Sequence, residues 1–141
     1  MVRVILVDDH ELVRRGMKTM LESEGIEVVG EASDGMLVHK MVEETMPDVV
    51  LIDVIMPNKD GISATKEVKD SFPNVGVVVL SGHDDQQYVF DALKAGASGY
   101  VLKSAANRDL IEACRSAMRG EPFLYPAAVT ALIRDYLERA R

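Results

Sequence analysis

Val49-Val50-Leu51-Ile52-Asp53 is four aliphatic residues in succession closed by a carboxylate, and three other stretches follow its plan. Val4-Ile5-Leu6-Val7 runs into Asp8-Asp9, Val77-Val78-Val79-Leu80 into Ser81, and Tyr100-Val101-Leu102 into Lys103. Short uninterrupted apolar runs read as strands buried on both faces, as in a parallel sheet covered by helices. Parallel strands share a carboxyl edge, and in open α/β sheets ligands bind in the crevice beyond it. The polar residues that close the four runs are therefore expected to converge there.

Between the runs the apolar spacing changes from that of a strand to that of a helix. Leu12, Val13, Gly16, Met17, Met20 and Leu21 recur at helical spacing, and Gly25 stops them. Glu27 to Ala32 reads as a further strand, and Ser33-Asp34-Gly35 turns it into a helix carrying Val38, Met41, Val42 and Thr45. Pro57-Asn58-Lys59-Asp60-Gly61 is a turn by composition, just beyond Asp53. Helices with Ile62, Thr65, Val68 and Phe72, with Val89, Phe90 and Leu93, and with Leu110, Ile111, Cys114 and Met118 complete the alternation, the last with Asn107 as its expected N-cap. Five strands alternating with five helices make a doubly wound α/β fold: a five-stranded parallel sheet with helices on both faces.

The final stretch breaks the pattern. Gly120-Glu121-Pro122 ends the fifth helix, and Pro126 suits the first turn of a sixth. Val129, Leu132, Ile133, Tyr136 and Leu137 form its apolar stripe, with Arg134, Asp135, Glu138, Arg139 and Arg141 outside. That stripe fits two roles equally: packing on the domain, or a connector and pairing surface.

A chain of 141 residues holds one domain with a genuine core. A net charge of -7 disfavours direct nucleic-acid binding, which rests on basic residues meeting phosphates. The single cysteine, Cys114, reads as a reduced core thiol. Four apolar residues before two aspartates are not a signal peptide, and no apolar run approaches the roughly 20 residues of a membrane span. The expectation is a soluble cytoplasmic protein without membrane contact.

Asp8, Asp9 and Asp53 brought together would repel one another, a conflict that a hard divalent cation, Mg2+ above all, resolves. Lys103 adds a positive charge and Ser81 a neutral donor. Phosphoryl transfer asks for little more than an oxygen nucleophile, a metal, cations on the equatorial oxygens and in-line positioning. Asp53, alone at its strand end, is the nucleophile of choice, and its attack gives an aspartyl phosphate. Singly, each residue has a duller reading: Asp8 or Asp9 as a helix cap, Ser81 as a strand-end hydroxyl, Lys103 as a solvated lysine. Five of them at four strand ends are not coincidence. His10 and His83 lie near the same edge but lack a spaced third ligand for zinc, and His39 reads as surface. A haloacid-dehalogenase-type phosphohydrolase also uses an aspartate and magnesium, but it needs aspartates two apart after the first strand, and here they are adjacent.

Val7-Asp8-Asp9-His10, Leu51-Ile52-Asp53-Val54-Ile55-Met56-Pro57, Asp60-Gly61, Leu80-Ser81-Gly82 and Gly99-Tyr100-Val101-Leu102-Lys103 resemble the receiver domain of two-component response regulators. Asp-Asp-His-Glu-Leu-Val-Arg-Arg-Gly and Ala-Gly-Ala-Ser-Gly-Tyr-Val-Leu-Lys resemble its NarL/FixJ branch, whose members carry a LuxR-type output domain. The resemblance implies the flavodoxin-like strand order 2-1-3-4-5. It implies a receiver over 1–121 and a linker helix over 122–141 leading to a helix-turn-helix domain, the part that would meet DNA. It further implies that Asp53 takes a phosphoryl group from a sensor histidine kinase. Asp8, Asp9, Asp53 and the Ile55 backbone carbonyl would hold Mg2+, and Ser81 and Lys103 would bind phosphoryl oxygens. Tyr100 becomes an aromatic switch that turns inward when Ser81 moves, and Ile55 and His83 tune phosphate lifetime. By the same resemblance the chain is a phosphoacceptor switch that catalyses only its own phosphorylation and slow dephosphorylation, rather than an enzyme, and it pairs as a homodimer on phosphorylation.

Overall fold

A computed structural model describes residues 1–82, 86–105 and 107–140. The strands are β1 (Arg3–Val7), β2 (Glu27–Ala32), β3 (Val49–Asp53), β4 (Gly76–Ser81), β5 (Gly99–Leu102) and β6 (Phe123–Leu124). The helices are α1 (Glu11–Ser23), α2 (Val38–Thr45), α3 (Gly61–Ser71), α4 (Val89–Lys94), α5 (Asn107–Met118) and α6 (Pro126–Arg139). The sheet runs 2-1-3-4-5-6, and every neighbouring pair is parallel. The expected order holds, but the sheet has six strands rather than five. β6 is only two residues between Pro122 and Tyr125, too short for an apolar run; it pairs Phe123 with Gly99 and Leu124 with Tyr100.

Alternate residues of the central strands face opposite helical layers, as the two-residue side-chain period of a strand requires. Ile5, Val7, Val50, Ile52, Val77 and Val79 pack with Val38 and Val42 of α2, Ala64 and Val68 of α3, Val89 and Ala92 of α4 and Ala128 of α6. Val4, Leu6, Val49, Leu51, Val78 and Leu80 pack with Met17 and Leu21 of α1 and Leu110, Ala113 and Cys114 of α5. Burial pushes the Cys114 thiol up to about 12, so it stays an inert core group. Two local expectations shift. Asn107 is the first helical residue of α5 rather than its cap, a boundary difference of one residue. His39 is half-buried, with Nε2 3.0 Å from Ser71 Oγ and its ring tilted against Phe72. Among the described residues, no helix is long and apolar enough to cross a membrane.

The 122–141 segment adds both a strand and a docked helix to the sheet. Ala128 of α6 is fully buried, and Arg139 lies over the Phe90 ring of α4, 4.1 Å from its centroid. Val129, Ile133, Tyr136 and Leu137, on the neighbouring flank, are exposed. Of the expected stripe, Leu132 packs against the core, while the other four residues stay exposed.

Gly61 fixes the approach of α3 to the site. Asp60 caps the helix, its Oδ1 accepting from Ser63 N at 2.8 Å, and Gly61 N donates to Val54 O at 3.0 Å. A Cβ at position 61 would fall on the Asp53 carbonyl oxygen, far inside van der Waals contact. Gly61→Ala is therefore expected to cost about 2–3 kcal/mol, as overpacking against rigid backbone does, and to displace Asp53. Urea unfolding reads the first effect; a midpoint equal to wild type would contradict it.

Candidate functional site

The carboxyl edge gathers what the strand ends carry. Asp8 follows β1, Asp53 closes β3, Ser81 closes β4 and Lys103 follows β5. Asp8, Asp53 and Ser81 are buried, while Asp9 is exposed. Neither aspartate caps α1: His10 occupies that position, and its side chain makes no cap bond. Asp8 Oδ1 instead accepts from His10 N at 2.8 Å, and Arg14 Nη1 donates to the Asp8 carbonyl oxygen at 2.6 Å. The second helical turn thereby holds the first strand's end in place.

Lys103 Nζ reaches across the sheet to donate to Asp53 Oδ2 at 2.7 Å and lies 3.3 Å from Asp8 Oδ2. That second approach is an ion pair without hydrogen-bond alignment, so Asp8 Oδ2 is buried with charge nearby and no hydrogen bond. Ile55 N donates to Asp53 Oδ1 at 3.3 Å, and the Ile55 side chain stands exposed beside the carboxylate. Burial holds the Asp53 carboxyl above the usual carboxylate range; the Lys103 hydrogen bond and charge pull it back, and Asp8 pushes it up again. For Lys103, burial works against the charged form, but the hydrogen bond to Asp53 and the charges of Asp53 and Asp8 outweigh it, raising the ammonium above its ordinary value. The two shifts are compatible, because three carboxylates outnumber one ammonium. Asp53 gains by taking a proton, and the ammonium gains by keeping its own.

Surplus negative charge at a crevice is an appetite for a cation. Oxygens of Asp8, Asp9 and Asp53 and a nitrogen of His10 all lie within 4.8 Å of one another. Oxygen-rich donors with one orphaned buried carboxylate oxygen suit a hard divalent ion. His10, which lacks a spaced third ligand for zinc, stands inside this cluster. Its Nδ1 is 3.3 Å from Asp8 Oδ1, Asp9 Oδ1 and Lys103 Nζ. His83 lies outside the described residues.

Ser81 Oγ has a neighbour that strand patterning did not reveal: the Tyr125 hydroxyl, at 3.5 Å. Tyr125 also stacks on Tyr100, with ring centroids 6.1 Å apart and planes at 23°. Tyr100 is fully buried and points inward from β5. The one sequence signal at Tyr125 is an aromatic just before the proline that starts a helix, which says nothing about a contact 44 positions away.

The family profile described as the response regulator receiver domain matches residues 4–115. The chain is 40% identical over 136 residues to the transcriptional regulatory protein DegU of Brevibacillus brevis, covering 96% of this chain and 58% of DegU. The chain thus spans less than two thirds of that relative's length. Among solved structures, a LuxR-family two-component response regulator from Aurantimonas sp. SI85-9A1 superposes with TM-score 0.89 at 30% identity, covering 97% of this chain and 99% of that one. The isolated receiver domain of RcsB from Salmonella enterica serovar Typhimurium, solved with the phosphomimetic BeF3-, superposes with TM-score 0.81 at 30% identity, covering 93% and 98%. RcsB has also been seen as two dimers bound to two parallel DNAs.

Proposed function

The chain belongs to the response regulator receiver domain family, among the LuxR-family regulators of transcription, and from that premise we propose that Asp53 is its phosphoacceptor. The observation that supports this most directly is the Lys103–Asp53 contact at 2.7 Å across two strand ends, with Asp8 buried beside it. An Asp53 carboxylate oxygen attacks the phosphorus of a phosphohistidine on a sensor kinase. The new O–P bond forms as the P–N bond breaks, and the leaving imidazole takes a proton. Lys103 Nζ, which neutralises Asp53 in the resting site, moves with the charge to a phosphoryl oxygen, and the Ser81 hydroxyl donates to another. Asp8, Asp9, Asp53 and the Ile55 carbonyl would hold Mg2+, which when bound neutralises the oxygens of the transferred group. Ile55 and His83 would tune the lifetime of the aspartyl phosphate.

The product is a charge change inside a packed sheet, the kind of event that biases a two-state element. Ser81 and Tyr100 on the neighbouring strands are that element, and α6 leads from it toward a helix-turn-helix output domain that would make the DNA contacts. Phosphorylation would favour a homodimer, and the whole would work in the cytoplasm as a switch, with turnover limited to its own phosphorylation and slow loss of the phosphoryl group. Acetyl phosphate with Mg2+ is expected to add one phosphoryl group per chain, mapped by peptide mass to Asp53. Labelling elsewhere, or steady turnover of a generic phosphomonoester, would overturn the assignment.

A further inference from the structure

We propose that Tyr125 is a positioning residue for Ser81: its hydroxyl holds the Ser81 hydroxyl in the resting place, so that phosphorylation of Asp53 releases Tyr125 and, with it, the first turn of α6. This rests on the reading of Ser81 as a ligand of the phosphoryl group. Ser81 Oγ is fully buried, and its nearest described hydrogen-bonding partner is Tyr125 OH at 3.5 Å. That separation is long for a bond between two hydroxyls, so the hold is weak and a better acceptor can break it. A phosphoryl oxygen is such an acceptor, since hydrogen bonds to an ionised oxygen are roughly twice as strong as neutral ones. If Ser81 swings toward Asp53, a contact already at 3.5 Å passes beyond reach.

Tyr125 is built to pass that loss on. It is the N-cap residue of α6, and its carbonyl accepts from Ala128 N at 2.9 Å and Val129 N at 3.2 Å. Pro126 follows in the first turn with its backbone angle preset. The ring and the helix start therefore hang on one residue. At this end α6 is held by the β6 pairing just before it, the Tyr100 stack, the packing of Ala128 and Leu132 on the core, and the Ser81 contact. At the far end, Arg139 sits over Phe90 and 3.9 Å from Asp91. Loosening the first end while the second stays docked changes the direction in which α6 leaves the domain. The strand-end hydroxyl thus reaches the exit helix through one side chain, without routing through the outer surface of α4.

Tyr125→Phe keeps the ring, the stack and the helix start and deletes only the hydroxyl. It is expected to speed Asp53 labelling by acetyl phosphate about two- to fivefold, the size of effect a weak neutral hydrogen bond supports. In a Ser81→Ala background the same change should have no effect, a dependence that loss of packing alone would not show. Amide exchange supplies the second measurement. In wild type, beryllofluoride with Mg2+ should speed exchange at residues 128–131; in Tyr125→Phe those amides should already exchange fast and respond little. If Ser81→Ala slows labelling but Tyr125→Phe labels at the wild-type rate, or more slowly, Tyr125 has no such role while the phosphoacceptor reading stands. If Ser81→Ala labels like wild type, the reading of Ser81 fails and this inference falls with it.

Discussion

Lys103→Met is expected to cost the folded chain about 3 kcal/mol at neutral pH, toward the low end of the range for stripping one partner from a buried ion pair. The low end applies because the Lys103 side chain keeps 19% of its surface, whereas those of Asp8 and Asp53 keep 0% and 4%. Methionine preserves most of the stem's volume, so the loss is one of charge. Wild-type Lys103 has an ammonium held above its ordinary value of 10.5. Its contribution is fully present below 10.5 and is lost only as pH rises through the higher folded value. At pH 7 the wild type has it in full and the variant has none. Without the ammonium, Asp53 loses the Lys103 hydrogen bond and charge that lower its carboxyl, and only the smaller influence of the Ile55 backbone hydrogen bond still opposes burial and Asp8. A carboxyl raised in the fold binds protons that the unfolded chain releases, so the variant should regain stability as pH falls toward 3.8, the ordinary value. Urea midpoints across that range test both parts. A variant as stable as wild type at pH 7 would mean that the carboxylates are not paying for their burial, and the site's charge surplus would lose its force.

Asp53→Asn should do the opposite to the metal-free fold. Burial dominates at Asp53 and raises its carboxyl, so ionising it works against folding at every pH above 3.8 and in full above the raised folded value. Asparagine removes that penalty while keeping the shape, so its unfolding midpoint should exceed wild type at neutral pH and converge with it near 3.8. The same substitution should nearly abolish stabilisation by Mg2+. Wild type should gain about 2.7 kcal/mol when Mg2+ is a hundredfold above its dissociation constant, and the variant much less. Labelling by acetyl phosphate should disappear as well. A variant that melts lower than wild type without metal, yet gains as much from Mg2+, would remove Asp53 from the cation's ligand set.

β1, β3, β4 and β5 could be read because each is a closed run of apolar residues too short for a buried helix and ended by a polar group. Asp8, Asp53, Ser81 and Lys103 could be read for the same reason: a residue that ends a parallel strand has its place in the crevice set by the strand itself. β6 escaped because Phe123–Leu124 has no period to detect and exists only by pairing with β5. The place of His10 beside Asp8, Asp9 and Lys103 depends on how the start of α1 sets its ring, which spacing along the chain does not reveal. The stripe of α6 was legible as apolar, yet which edge packs is set by Ala128 against the sheet and Arg139 against Phe90.

By itself, then, the order of apolar runs and their polar ends determined the parallel sheet, the edge where its chemistry lies and the residue types gathered there, because those follow from local periodicity and from the shared direction of the strands. Tertiary structure alone decided the contacts between distant segments: Lys103 on Asp53, the inward ring of Tyr100, and Tyr125 against Ser81. Those depend on packing across layers, where a side chain's partner is chosen by the space and charge around it and leaves no trace in the spacing of the chain.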